Sequence, residues 1–178
     1  MDAEIHVVGV GLSDTTLMDR LAADLTATIS HTAVVARWTI DPKGAYDPLR
    51  NQYNSSYILS ELFRRQIPGK SRLLGVTDVD LYAPVLTFVF GEAQLGGPTA
   101  VVSTHRMRPE LYGLDPDPEL LFRRLLVEAV HELGHTAGLR HCLVQRCAMN
   151  GSTYVEEIDL KGPGFCSACQ AVFDQSFH

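Results

Sequence analysis

His131-Glu132-Leu133-Gly134-His135-Thr136-Ala137-Gly138-Leu139-Arg140-His141 is the stretch from which the rest of the chain is read. Two histidines four apart, with a glutamate after the first, form H-E-x-x-H. That pattern holds one zinc ion on one face of a helix with a carboxylate beside it. At 1.5 Å rise and 100° per residue, His131 and His135 stand roughly 6 Å apart along a helix axis and about 40° apart around it. Both imidazoles can therefore reach one ion at the distance of about 2.0–2.1 Å that zinc requires. On a continued helix His141 would lie about 9 Å beyond His135 and point away from the shared face. The chain must leave the helix and bend back. Gly138 takes φ > 0 at little steric cost and is the residue that permits this.

Three histidines leave the fourth tetrahedral position open, which marks a catalytic rather than a structural site. Such a metal lowers the pKa of a bound water to about 7. Glu132 flanks the metal-bearing face, placed to take the proton from that water and return it to a leaving amine. The histidine set selects zinc without excluding iron or cobalt.

The helix that carries the motif has its own start signals. Asp115-Pro116-Asp117-Pro118-Glu119 supplies an N-cap, a first-turn proline and an early acid. Leu121, Phe122, Leu125, Leu126 and Ala129 recur at helical spacing and form the core stripe. Arg123, Arg124 and Glu128 are assigned to the solvent side.

The four cysteines all follow the histidine motif, as Cys142, Cys147, Cys166 and Cys169. C-x4-C followed by C-x2-C reads as a zinc site of four thiolates, making two zinc ions per chain, one catalytic and one structural. Two disulfides are the alternative. Residues 1–12 carry acids where a secretory leader needs basic residues, and no apolar run approaches a membrane span. A cytoplasmic location is expected, where thiols stay reduced and favour metal. Residues 142–178 are fewer than the roughly 40 that a chain needs to hold itself together. A closed sulfur site would pin them to the main body.

At 178 residues and 46% hydrophobic, the chain has the size and core of one domain. A net charge of −6 opposes binding to nucleic acid or an anionic membrane. Residues 4–10, 32–40, 72–77, 85–90 and 98–104 read as strands. Helices are expected from a Ser13-Asp14 cap to about Ser30, and from the segment opened by Asp47-Pro48 to Gln66, where Pro68-Gly69 stops it. Alternation of strand and helix argues for crossovers and a parallel core, an α/β class. Gly9-Val10-Gly11 lacks the third glycine of a dinucleotide loop and reads as a plain turn. His6, His31 and His178 have no ligand spacing.

The complete motif, with Met149 soon after it, resembles the metzincin clan of zinc peptidases. Cys142, Cys147-Ala148-Met149 and Cys166-Ser167-Ala168-Cys169 resemble its archaemetzincin (archaelysin) branch. So do the segments Asp47–Tyr53, Gly75–Tyr82 and Phe88–Gly97. The interval from Met149 to Cys166 is slightly shorter than the family's usual gap, a difference that a loop absorbs. The resemblance implies a zincin-like α/β fold: a twisted, mostly parallel sheet with an antiparallel edge strand, backing helices and the active-site helix. It also implies a division of the single domain 1–178 into an N-terminal subdomain, 1–138, and a small zinc-stapled C-terminal one, 139–178. Met149 would form the apolar floor of a Met-turn beneath the metal. The edge strand of such enzymes pairs with extended substrate, a role that falls on Ala100, Val101, Val102 and Ser103 here, the alternative being that they form an ordinary inner strand. His105 and Tyr154 are weaker candidates for steadying an oxyanion.

The functional expectation is a monomeric zinc metallopeptidase acting on a peptide or protein. The alternatives are a catalytically silent, metal-bearing peptide-binding domain with an occluded site, and zinc-dependent hydrolysis of a non-peptide amide.

Overall fold

The computed structural model describes residues 3–12, 15–65, 67 and 69–177. The Ser13-Asp14 cap, Gln66, Pro68 and His178 lie outside the described residues. In chain order the elements are β1 (Ile5–Val10), α1 (Thr15–Ile29), β2 (Ala33–Ile40), β3 (Tyr46–Asp47), β4 (Gln52–Asn54) and α2 (Ser55–Arg64). They continue with β5 (Arg72–Thr77), β6 (Leu81–Tyr82), β7 (Gly91–Ala93), β8 (Thr99–Ser103), α3 (Pro118–Thr136), α4 (Val155–Leu160) and α5 (Ser167–Gln175).

The main sheet has the order β2-β1-β5-β8-β7. β1 runs parallel to β2 and β5, and β5 parallel to β8; β7 alone is antiparallel. Strands β5 and β8 are buried along their whole length, as strands covered on both faces must be. One face is covered by α1 and α3, whose Leu21, Leu25, Leu125, Ala129 and Leu133 meet Val7, Leu74 and Val102. The other is covered by α2, through Ile58, Leu59 and Leu62 against Val8, Val10 and Val101. Asn54 caps α2 by accepting the Tyr57 amide. A second, three-stranded sheet has the order β3-β4-β6.

After α3 the chain passes beneath that helix. Leu139, Ala148, Met149, Val155, Ile158, Cys169 and Phe173 join the same core as α1 and α3. No helix among the described residues is long and apolar enough to cross a membrane.

Two strand expectations are corrected. Residues 85–90 form a loop rather than a strand: Val85 is fully exposed with φ +66°, and only Val89 bridges, to Leu81. Ala100–Ser103 do not form the sheet edge. They lie in β8 between β5 and β7, so their backbone groups are spent on both neighbours, and the edge is Gly91–Ala93. The turn expected at Gly9-Val10-Gly11 begins later: Gly9 and Val10 belong to β1, and only Gly11, at φ +70°, lies in the bend that follows.

Candidate active site

Helix α3 begins where Asp117 accepts the Leu120 amide, with Pro118 in its first turn. It ends in a Schellman turn: the Gly138 amide donates to the His135 carbonyl (2.9 Å) and the Leu139 amide to the Gly134 carbonyl (3.1 Å). Gly138 sits at φ +85°, the left-handed conformation that this motif needs. The reversal brings the Leu139 carbonyl onto His135 Nδ1 (2.8 Å) and returns His141 to the helix face. The three imidazole centroids then stand 4.7, 5.2 and 5.3 Å apart.

The hydrogen-bond pattern tests whether these rings suit a metal. His131 Nδ1 donates to the Ala148 carbonyl (2.7 Å) and His135 Nδ1 to that of Leu139, because a carbonyl can only accept. Each neutral ring is thereby left with a lone pair on Nε2, and these two atoms face one another at 3.1 Å. No hydrogen joins them. Two opposed lone pairs at that separation are a donor set for a cation, with each ring's outer nitrogen fixed by a backbone acceptor. Burial pushes both imidazoles below their ordinary pKa, which favours the neutral, ligating form.

The floor beneath the rings is the turn 147–151. Met149 is fully buried, and a methyl on Gly134 would stand 2.2 Å from its sulfur, so helix and floor meet with no side chain between them. Gly151 lies against His141, where a methyl would stand 3.1 Å from Nδ1.

Glu132 is buried, with its carboxyl pushed well above the usual range by burial and then by the neighbouring Glu128 and Glu92. A cation between the imidazoles opposes that push. His131, Glu132, His135 and His141 line one cleft of about 1150 Å³. Gly91 and Ala93 of the sheet edge, with Phe90 just before it, form another wall, and the exposed Leu86, Leu95 and Tyr154 rim its mouth. Of the weaker candidates, Tyr154 lines the cleft and His105 does not. His6 lies 3.8 Å from Glu4, and His31 hydrogen-bonds Asp174 while stacking on Phe177.

The sulfurs of Cys142, Cys147, Cys166 and Cys169 lie within 4.8 Å of one another, and all four are free. With all four thiols free, the disulfide alternative falls away; the Cys142 and Cys166 sulfurs, for example, are 3.9 Å apart, far outside the roughly 2.05 Å of such a bond. The Cys169 amide holds the Cys166 thiol down to about 7. Backbone amides of Val144 and Cys166 also donate to sulfur, at 3.4 and 3.3 Å. Donors aimed at sulfur favour thiolates, the form that binds metal, whereas burial pushes the Cys147 and Cys169 thiols up, a push that a cation among the four sulfurs would oppose.

The family model described as Peptidase family M54 matches residues 43–175. The chain belongs to peptidase family M54. Within this family it is 46% identical over 128 residues to an archaemetzincin of Methanocaldococcus jannaschii, covering 72% of this chain and 69% of the relative. It is 39% identical over 161 residues to that of Methanopyrus kandleri, covering 90% and 87%. A zinc-dependent peptidase from Methanocorpusculum labreanum superimposes with a TM-score of 0.85 at 31% identity, over 95% of this chain and 99% of that one. The Methanopyrus kandleri archaemetzincin structure gives 0.82 at 36% identity, over 98% and 95%. The M54 chain thus combines a metallopeptidase family's fold with a histidine set suited to a metal.

Sequence reasoning misplaced two side chains of α3. Arg124 and Glu128 are not on the solvent side; each is 3% exposed. Arg124 forks onto Asp159 (2.8 and 2.7 Å) and donates to the Met107 carbonyl, and Glu128 accepts from Lys161 (2.7 Å). It also missed the brace behind the loop 85–90. Arg50 donates to the carbonyls of Leu86 and Thr87, and Gln52 to Thr87 and Asp80. Those residues sit in the Asp47–Tyr53 segment that carries the family resemblance, and that was the available signal.

Proposed function

We propose that the chain hydrolyses peptide bonds as a zinc metallopeptidase, with His131, His135 and His141 holding a catalytic zinc and Cys142, Cys147, Cys166 and Cys169 a structural one. The observation that carries this reading is the pair of opposed Nε2 lone pairs beside Glu132 in one cleft. When bound, zinc lowers the pKa of a coordinated water and polarises a carbonyl. Glu132 accepts the proton of the attacking water at its carboxylate and later gives it to the departing amine. Its burial keeps that carboxyl from competing waters. Met149 and Gly134 hold the helix against its floor, so that His131 and His135 keep their aim.

Substrate lies extended along Gly91–Ala93, where the outer edge of β7 has free backbone groups and lines the cleft. The apolar rim suits a peptide with bulky apolar side chains. A volume of about 1150 Å³ favours an open cleft over a small enclosed pocket for a non-peptide amide.

The test is Glu132→Gln. The variant should keep two zincs per chain by elemental analysis and lose cleavage of a mixed peptide library followed by mass. Full turnover by the variant would remove Glu132 from the mechanism, and a chain loaded with only one zinc would remove one of the two metal assignments.

A further inference from the structure

Lys161 is the one lysine in the protein's interior among the described residues, 1% exposed, and it sits behind the metal ligands rather than in the cleft. Its ammonium donates to Glu128 Oε1 (2.7 Å), to the Asn150 carbonyl (3.0 Å) and to the Ala148 carbonyl (3.4 Å). A lysine so placed loses its hydration and returns little as a bare ion pair. What distinguishes it is the identity of the two carbonyls. Ala148 is the acceptor that fixes the His131 ring. Asn150 precedes Gly151, which presses on His141, and its side-chain amide donates to the Cys142 carbonyl (2.9 Å). One cation therefore grips the floor turn at two points and anchors it to α3 three residues before His131.

We propose that Lys161 is a positioning residue of the catalytic centre, fixing the floor turn against α3 so that His131 and His141 converge. The inference rests on the zinc reading above. The Ala148 carbonyl has two lone pairs, one taken by His131 and one turned to the ammonium. Without the ammonium the turn keeps its packing and the His131 bond to the Ala148 carbonyl, but nothing independent of that imidazole holds the acceptor in place, and it is free to shift together with the ring. Orienting partners of metal-bound histidines typically contribute 10- to 100-fold in metal affinity. Glu128 has a subordinate part: it neutralises the lysine and keeps its own charge from standing one turn before Glu132 with no counterion.

Zinc affinity of the histidine site, measured by chelator competition at fixed pH with the sulfur site loaded, reads this directly. Lys161→Met alone leaves Glu128 buried and bare, so the informative protein is Lys161→Met/Glu128→Leu, which replaces the pair by apolar side chains. It is expected to fold and to bind zinc at the histidines about 10- to 100-fold more weakly. Glu128→Gln keeps the ammonium on both carbonyls but strips its counterion, so its partner is Lys161→Met/Glu128→Gln, in which neither charge remains; relative to Glu128→Gln that variant is expected to bind zinc about 10- to 100-fold more weakly. Unchanged affinity in the leucine variant overturns the proposal. So does equal affinity of Glu128→Gln and Lys161→Met/Glu128→Gln, a comparison that decides the matter even if the leucine variant does not fold. Failure of the unaltered protein to load zinc at the histidines sinks the zinc reading instead.

Discussion

A methyl group built on Gly91 would stand 2.7 Å from Glu132 Cγ and 2.8 Å from its Oε1, so the sheet edge and the acid touch with no side chain between them. The carboxyl is thus held by the backbone of the strand on which a peptide would lie. Gly91→Ala must displace either the edge or the acid, since the same methyl would also meet the Val101 carbonyl at 2.6 Å. A displacement of about 1 Å at a reacting group can cost about 100-fold in rate. The expected result is a loss of that order in kcat/KM with both zincs retained, and partial recovery when Glu132→Asp shortens the acid. Wild-type kcat/KM in Gly91→Ala would show that the contact has no bearing on the reaction.

Cys169→Ser should remove the structural metal without touching the histidines. Elemental analysis is expected to fall from two zincs to one. Metal binding at such a site is part of the folding free energy, so a loss of about 3 kcal/mol, or roughly 6–12 °C in Tm, is expected. The floor turn lies within this cluster, because the Cys142 amide donates to the Met149 carbonyl and the Ala148 amide to that of Gly164. Activity should therefore fall together with stability. A variant that keeps its Tm would refute the structural role of the cluster.

Acid should loosen the cleft rim through Asp80. Burial pushes its carboxyl up, but the forked Arg106 (2.8 and 2.6 Å) and then Gln52 outweigh this and hold it below 3.8. A carboxyl depressed on folding stabilises the protein above its unfolded pKa, and that contribution is lost as pH falls from about 4 through the folded value. Asp80→Asn is expected to cost about 1–2 kcal/mol at pH 7. The gap between the two proteins in urea midpoint should close towards pH 3. Their difference is the relevant measure, because protonation of histidine and cysteine ligands adds the same acid sensitivity to both. A constant gap across that range would remove Asp80 as the source.

The helix of the histidine motif was legible in the sequence because the spacing that would hold a metal imposes the helical period on residue types that are otherwise rare. His131, His135, the φ of Gly138 and the return of His141 all follow from that one constraint. The inward turn of Arg124 and Glu128 was not legible, since a helical wheel sends charge to solvent unless a partner is known. Their partners, Asp159 and Lys161, lie 35 and 33 residues downstream in a segment with no signal of its own. The sheet edge was misread for a related reason. Thr99–Ser103 has the β-branched composition of a strand, whereas Gly91-Glu92-Ala93 is too short and too poor in such residues to announce itself. Its place at the edge is fixed by pairing with β8, which is a tertiary fact.

Charges sent inward by α3 also couple two distant stretches of chain. With the helix on the sheet and residues 159–161 absent, Arg124 and Glu128 would be sealed in without their counterions, at several kcal/mol per ion. The docked helix and the stretch beneath it therefore stand or fall together in energy, and a compact form that kept one without the other would be heavily penalised.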